Sequence, residues 1–375
     1  MPERVYLDWN ATAPLRPEAR AAMLEAMDVI GNPSSVHAEG RAARGLVERA
    51  RAQIARLVGC EPSEVVFTSG ATEAAALVLS ACKAVGPPTE HDCVYAWAGH
   101  SDDLWQIDRN GQPRARESGA DTRLEGAVLA LATSNGETGV VTGGQDGSVA
   151  HLAAQQSGSE ARPVLFRDAA QSIGKVRIQF RHLDASFLSG SAHKLGGPKG
   201  LGVLIVRDGH TLAPALRGGG QEMGRRSGTE NVIGIAGFGA AAEAALRDLE
   251  TGVWDRVERL RNILEETLAE AAPGTIFIGQ DAPRLPNTSC FAAPGWKGET
   301  QVMQMDLAGF AVSAGSACSS GKVQESRVLR AMGFDAVTAS SAIRVSIGPT
   351  TTEAELMAFA DVWIKHHRRW RAKAA

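Results

Sequence analysis

The sequence predicts an α/β protein: a mostly parallel central sheet with helices on both faces, accompanied by a smaller α+β domain. Short apolar runs alternate with helical segments over the first two thirds of the chain, which is typical of parallel sheets buried on both faces. From Thr275 onward the segments become short and mixed. Because 375 residues exceed what one core usually serves, we expect a large domain over 14–255 and a small domain formed by 1–13 and 256–375.

The composition is that of an ordinary globular protein, with 44% hydrophobic and 22% charged residues. The formal net charge of -3 comes without a basic block, so we expect no nucleic-acid partner. We also expect no signal peptide and no membrane-spanning segment. The five cysteines form no close pair, and their odd number argues against a zinc cluster or a disulfide framework. A reducing cytoplasm suits such free thiols.

Each element follows from its local pattern. Apolar residues at helical spacing predict helices over 17–29, 37–59, 74–84, 233–249 and 254–271. Continuous apolar runs predict strands over 64–68, 127–132, 164–167, 185–188 and 201–206. The pattern is weak from 86 to 125. In the second domain we expect short strands and helices within 275–278, 289–292, 299–307, 341–347 and 353–370.

Four loops that follow predicted strands carry residues able to do chemistry. They contain Ser69, Asn135, Asp168 and Lys194. In parallel sheets, ligands bind outside the carboxyl ends of the strands. We therefore expect these four loops to converge on one site.

Lys194 lies in a tight turn of small residues between two apolar strands. An amine held in a partly dry pocket loses its proton more easily and can condense with a carbonyl. Pyridoxal phosphate (PLP) is the usual aldehyde partner of such a Schiff-base lysine. The alternative is an exposed loop lysine without chemical function.

Asp168 ends an apolar strand, where an unpaired carboxylate is unfavourable. A protonated pyridine nitrogen would be a suitable partner, and the alternative is an N-cap for a helix over 169–173. Gln171 is expected about one turn beyond Asp168, within reach of the same ligand.

Ala71 and Thr72 open a helix after a strand, where backbone amides and a hydroxyl form an anion cup. Plain N-capping by Ser69 or Thr72 is the alternative.

Three further residues are candidates. Arg344 lies inside an apolar strand and needs a carboxylate, which is either a bound substrate or an intramolecular partner. His100 could stack on a planar cofactor, although a histidine in a weakly patterned region is usually a surface residue. Cys318 sits in a run of small residues that cannot pack a core, so we expect an exposed thiolate nucleophile. Cys60, Cys82 and Cys290 have apolar neighbours, so we interpret them as small core residues.

Together these residues resemble the cysteine desulfurases, which are fold type I PLP enzymes of the class V aminotransferase group. The resemblance covers essentially the whole chain in the family's order. It is carried by segments 6–12, 31–35, 69–73, 168–171, 191–194, 218–222, 226–231 and 315–318.

The resemblance implies a role for each matched residue. Lys194 holds PLP and later moves the Cα proton, Asp168 pairs with the pyridine nitrogen, and Gln171 bonds the phenolic oxygen. His100 stacks on the ring, Arg344 binds the substrate carboxylate, and Cys318 attacks the sulfur of L-cysteine. The phosphate is held by Ala71, Thr72, Ser191 and His193, and by Thr229 of a partner subunit. The implied partners are therefore a second copy of the chain and a protein, either a scaffold or a carrier, that accepts the sulfur.

The chain departs from the family pattern at three places near the site, one of which is Ala192 in place of a glycine before His193 and Lys194. Gly136 occupies the position of an asparagine that touches cofactor and substrate, and we expect Asn135 to take over that contact. Gly99 stands where the family has a glutamate before the ring-stacking His100. Two related activities are alternatives, selenocysteine lyase and small-molecule aminotransferase, but transamination needs no thiol such as Cys318. A non-catalytic binding protein of the same fold is a third alternative.

Overall fold

The computed structural model describes residues 4–115, 126–142, 164–315 and 325–374. Its helices are α1 (Pro17–Met27), α2 (Ala38–Val58), α3 (Ala71–Leu79), α4 (Asp92–Ala98), α5 (Val232–Glu250), α6 (Val253–Ala271), α7 (Gly298–Leu307), α8 (Arg327–Ala331), α9 (Ala336–Ser340) and α10 (Glu353–Ala374). Its strands are β1 (Val5–Tyr6), β2 (Val65–Thr68), β3 (Ala84–Val85), β4 (Trp105–Ile107), β5 (Pro113–Ala115), β6 (Val128–Ala132), β7 (Val164–Asp168), β8 (Phe187–Ser191), β9 (Gly202–Val206), β10 (Ile276–Phe277), β11 (Thr288–Ala292), β12 (Phe310–Ala311), β13 (Ser313–Ala314) and β14 (Ala342–Ser346).

The central sheet has the strand order β2-β9-β8-β7-β6-β3 in the part of the chain that the structure describes. Strands β3, β6, β7 and β8 pair in parallel. Strand β9 pairs antiparallel with both β8 and β2. Five strands therefore point the same way and only β9 opposes them, which confirms the predicted mostly parallel sheet.

Helices cover both faces of this sheet, as predicted. Alternate residues of a strand point to opposite faces. In β2, Val65 and Phe67 pack with residues of α2 and α5, whereas Val66 packs with residues of α3. The central strands are therefore buried on both sides, which is why their sequences are continuously apolar rather than alternating.

A second, antiparallel sheet has the order β10-β11-β14-β13. Its core contains Phe291 of β11 and Trp363 of α10, whose rings meet edge to face at 5.4 Å. Strand β1 pairs in parallel with β12, and Leu7 is fully buried in the same core. The N-terminal strand thus packs with the C-terminal third of the chain. The domain limits, 14–255 and 1–13 with 256–375, stay a prediction.

The local predictions differ from the structure in several places, including three in the first half of the chain. Helix α3 begins at Ala71, directly after the turn, and ends at Leu79. The weakly patterned segment holds α4 and a short hairpin of β4 and β5. The predicted helix over 169–173 is a turn, in which the amides of Ser172 and Ile173 both donate to Ala169 O. Gly174 follows at a φ of 79°, a left-handed conformation that ends this turn.

Within residues 4–115, 126–142, 164–315 and 325–374, no helix is both long and apolar enough to cross a bilayer.

Candidate active site

The loops predicted to converge do meet at one edge of the central sheet. Strands β2, β6, β7 and β8 point the same way, so their carboxyl ends share that edge. Thr133, directly after β6, donates its amide to the backbone oxygen of Asp168 at 2.8 Å. The hydroxyl of Ser189 in β8 donates to the Asp168 carboxylate at 3.0 Å. Asp168 therefore joins three neighbouring strands.

Lys194 lies in the connection between β8 and β9, in a 3-10 turn over Ala192–Lys194. Its amine donates to the backbone oxygen of Asn10 at 2.5 Å and to that of Ala11 at 3.0 Å. The residue is half-buried. The amine is thus held against another segment of the chain, unlike that of an exposed loop lysine.

Asn10 is a connecting residue of this site that sequence reasoning missed as a functional residue. Its backbone oxygen also accepts a hydrogen bond from Gln171 Nε2 at 2.9 Å. Its side-chain oxygen accepts from Lys175 Nζ at 3.1 Å and from Asn287 Nδ2 at 3.0 Å. Asn10 is only 1% exposed. The sequence feature that could have identified Asn10 is its position in segment 6–12, which carries part of the family resemblance.

The carboxylate of Asp168 is oriented for a cationic ligand. Ser189 Oγ and the amide of Ala170 both donate to Oδ1, at 3.0 and 2.9 Å. Within the described residues, Oδ2 receives no hydrogen bond, so it can accept one from a protonated ring nitrogen. Asp168 also caps the turn that follows it, so the N-cap alternative holds in part.

The N-terminus of α3 lies beside β9 at the same edge. Its N-cap residue, Gly70, makes no side-chain cap, so plain capping by Ser69 or Thr72 is not observed. The amides of the first turn, including those of Ala71 and Thr72, therefore offer donors to an anion. Gly202 of β9 approaches so closely that a Cβ there would lie 2.5 Å from Gly70 Cα.

Ser191 and His193 lie next to this helix terminus. Ser191 is buried and pairs in register with Gly202, which touches Gly70. His193 Nδ1 is 3.2 Å from Thr12 Oγ1. Burial, then the charges of Lys194 and other lysines, lowers the pKa of His193 to about 4. The imidazole is therefore neutral near pH 7 and suits a hydrogen bond rather than a charge pair.

Arg344 makes the intramolecular ion pair that was one of its two alternatives. Its Nη2 donates to Asp8 Oδ1 at 2.8 Å, and its Nη1 donates to the backbone oxygen of Gly136 at 2.9 Å. The Nε atom is buried and has no hydrogen-bond partner among the described residues. Asp8 is a second residue of the site that the sequence reasoning did not assign.

The contacts of Asn135 do not support the expectation that its side chain replaces the missing asparagine at 136. Its Nδ2 donates to Thr89 O at 2.9 Å, and its Oδ1 accepts from the amides of Glu137 and Thr138, each at 2.9 Å. Both ends of the amide therefore stabilise the loop itself. A Cβ on Gly136 would lie 3.3 Å from Gln171 Nε2, so the glycine lets the two segments pack closely.

The assignment of ring stacking to His100 stays a prediction, and the structure places a second histidine near the site. His100 lies in the 3-10 segment Gly99–Leu104, and its neighbour Ser101 bonds Gly86 directly after β3, which is an edge strand of the central sheet. His91 lies next to the site, because the adjacent Glu90 Oε1 accepts the amide of Ala132 at the end of β6. Burial raises the pKa of Glu90 to about 8, and the nearby Asp168 charge adds to this. The sequence feature that could have identified His91 is its pairing with Glu90 directly before helix α4.

One predicted site residue, Thr229, is not brought to this edge by the described contacts. Thr229 is exposed on the loop that precedes α5. A buried ion pair anchors that loop, in which Arg51 Nη1 and Nη2 each lie 2.9 Å from a Glu222 carboxylate oxygen. Cys318 lies outside the described residues, between Gly315 and Glu325. Of the cysteines predicted to be core residues, Cys60 and Cys290 are buried and Cys82 is half-buried.

Comparison with known proteins agrees with this geometry. The family model described as "Aminotransferase class-V" matches residues 5–359. The chain is similar to a cysteine desulfurase of Cereibacter sphaeroides, with 40% identity over 94% of this chain and 93% of the relative.

Two solved structures extend the similarity to the fold. An X-ray structure of a NifS-like protein from Rickettsia africae has a TM-score of 0.84 and 27% identity, covering 97% of this chain and 99% of the other. A structure titled "SspA in complex with cysteine" has a TM-score of 0.73 and 26% identity, covering 93% and 100%.

Proposed function

The chain belongs to the class V aminotransferase family and, within it, to the cysteine desulfurases; we propose that it uses PLP on Lys194 and a persulfide on Cys318. The finer assignment of residues rests chiefly on one observation. The amine of Lys194, the amide of Gln171 and the carboxylate of Asp168 meet where several parallel strands end. The solved relative whose title names a complex with cysteine supports that amino acid as the substrate.

The residues at this edge suit PLP. Asp168 Oδ2, which accepts no hydrogen bond from a described residue, would accept the pyridinium N–H, and Gln171 Nε2 would donate to the phenolic oxygen. The amides of Ala71 and Thr72, with Ser191 and neutral His193, would hold the phosphate. We assign ring stacking to His91 in place of His100. Asn135 would contribute by shaping the loop rather than by direct contact.

Bound PLP would withdraw electrons from the Cα–H bond of the substrate. Lys194, positioned by the backbone oxygens of Asn10 and Ala11, would carry the Cα proton. Arg344 would bind the substrate carboxylate through its unpartnered Nε and the neighbouring Nη. Asp8 would keep that guanidinium in place.

The sulfur would leave through Cys318. Its thiolate attacks the substrate sulfur, so an S–S bond forms while the Cβ–S bond breaks, and the carbon skeleton is released as L-alanine. The reaction balances as L-cysteine plus enzyme thiol giving L-alanine plus enzyme persulfide, without an external oxidant or reductant. A protein acceptor then takes the terminal sulfur for iron–sulfur cluster assembly or another thiolation.

A homodimer would cover two groups of residues that are exposed in the single chain. Ile30 and Val36, in the connection between α1 and α2, are 89% and 88% exposed, which is unusual for large aliphatic side chains. Thr229 is exposed on an anchored loop, where it could reach the phosphate site of a second copy. A cytoplasmic location agrees with the four described cysteines, all free thiols.

A substrate comparison tests the proposal against its alternatives. The purified protein, loaded with PLP, is given L-cysteine, L-selenocysteine or an amino donor with a keto acid. We expect alanine and protein-bound sulfur from L-cysteine. Turnover of L-selenocysteine alone would favour a selenocysteine lyase, and amino transfer without sulfur release would favour an aminotransferase. No turnover with any substrate would favour a binding protein.

A further inference from the structure

Lys175 is a buried amine behind the site that the proposed chemistry does not use. It follows the turn after Asp168 and is 3% exposed. Its Nζ donates to Gln171 Oε1 at 2.9 Å and to Asn10 Oδ1 at 3.1 Å. Both acceptors are neutral amides, and no carboxylate bonds this amine within the described residues.

The surroundings of Lys175 are unfavourable for a cation. Burial lowers its pKa well below the ordinary value, and the positive charges of Lys194 and Arg344 lower it further. A buried amine without a carboxylate partner is costly, whereas an apolar side chain of similar length would fill the same space. Packing therefore does not explain a lysine at this position.

The hydrogen bonds of Lys175 fix the direction of two amides. Nζ donates to both amides, so each amide turns its oxygen toward the amine. The Gln171 nitrogen then points the other way, to the same Asn10 oxygen that Lys194 contacts. Without the amine, the side-chain amide of Gln171 could rotate. Its oxygen, an acceptor, would then take the place of its nitrogen, a donor, beside the Asn10 oxygen.

We propose that Lys175 is a positioning residue, which keeps the N–H donors of Gln171 turned toward the backbone oxygen of Asn10 that the Lys194 amine also contacts. On the proposed function, this is the group that would bond the phenolic oxygen of PLP. The inference rests on that function and adds the residue through which Gln171 is oriented.

The test is a double-mutant cycle on Lys175→Met and Gln171→Ala, with Lys365→Met as the control. Met matches the length of lysine without donors, and Lys365 is exposed on α10. The readout is the pH at which the visible band of protein-bound PLP is lost. Without Lys175, Gln171 would no longer keep its N–H donor on the phenolic oxygen, and the charge left on that oxygen would favour the protonated nitrogen between Lys194 and PLP. We expect Lys175→Met to raise this pH by about one unit, the equivalent of one hydrogen bond.

Because Lys175 acts through Gln171, the double variant should shift no more than the larger single variant. The inference would be overturned if the pH shift of the double variant equalled the sum of the two single shifts, or if Lys175→Met left this pH unchanged. If Lys175→Met does not fold, Lys175→Gln retains a donor and should give a smaller shift. Failure of both variants to fold would show a purely structural role and also overturn the inference. Absence of a visible band in the wild type would instead contradict the proposed function.

Discussion

The backbone oxygen of Asn10 lies 2.5 Å from the amine of Lys194, although the two residues are 184 positions apart. Asn10 follows β1, which packs with the second core, whereas Lys194 belongs to the central sheet. The contact therefore makes the site depend on both halves of the fold. It also explains how Asn10 can connect Lys194, Gln171 and Lys175.

Replacing Asn10 should destabilise the protein even before PLP is added. Asn10→Ala removes one of the two acceptors of Lys175 Nζ and one of the two acceptors of Asn287 Nδ2, both buried, so we expect a loss of about 1–3 kcal/mol in the free energy of unfolding. Urea unfolding of the apoprotein measures this loss. Gln106→Ala, at an exposed position, is the control and should change stability by no more than about 0.5 kcal/mol. Equal stability of the two variants would show that Asn10 carries no such role.

Substitution of His91 and of His100 tests which of the two histidines contacts PLP. His91→Ala should weaken PLP binding and slow turnover, because Glu90 and Thr89 place the residue beside the end of β6. His100→Ala should retain both properties. Equilibrium binding of PLP and the rate of alanine formation measure the difference. The reverse result would restore His100 as the stacking residue.

Glu90 should make stability depend on pH. Its pKa is raised to about 8 in the folded protein from an ordinary 4.5, so the folded state keeps a proton that the unfolded state loses. This contribution is complete below about pH 4.5 and is lost as the pH rises toward about 8, by at most about 1.4 kcal/mol per pH unit. Glu90→Gln should show a smaller loss of stability over this range in urea titrations. Parallel profiles of variant and wild type would contradict the assignment.

The strand-end loops could be predicted because their signals are local. A continuous apolar run followed by a small or polar turn places Asp168 and Lys194 at strand ends, and the shared direction of parallel strands brings them together. Likewise Arg344, a charge inside an apolar strand, had to meet a carboxylate. The sequence could not tell whether that carboxylate belonged to a substrate or, as the structure has it, to Asp8.

The remaining site residues depend on contacts between distant segments. Asn10 and Lys175 form one network with Gln171, but no spacing in the sequence relates residue 10 to residue 175. His91 and His100 both lie in the weakly patterned segment, where periodicity cannot rank them. What separates them is the hydrogen bond from Ala132 to Glu90, which exists only once β6 and α4 have packed.

Lys194 should be required for the colour of the PLP-bound protein. Lys194→Ala removes the amine that would join the cofactor, so we expect loss of the visible absorption band with an unchanged far-ultraviolet circular dichroism spectrum. Lys365→Ala, at an exposed position of α10, should retain the band. A visible band of wild-type intensity in Lys194→Ala would assign the cofactor linkage to another residue.

The most direct measurement locates the sulfur after one turnover. The PLP-loaded protein is mixed with L-cysteine, alkylated, digested and analysed by mass spectrometry, and alanine is quantified in parallel. We predict a persulfide on Cys318 and an equal amount of alanine in the wild type, and neither product in Cys318→Ala, which keeps its visible band. Alanine formation at the wild-type rate in Cys318→Ala, or a persulfide on a different cysteine, would contradict the account.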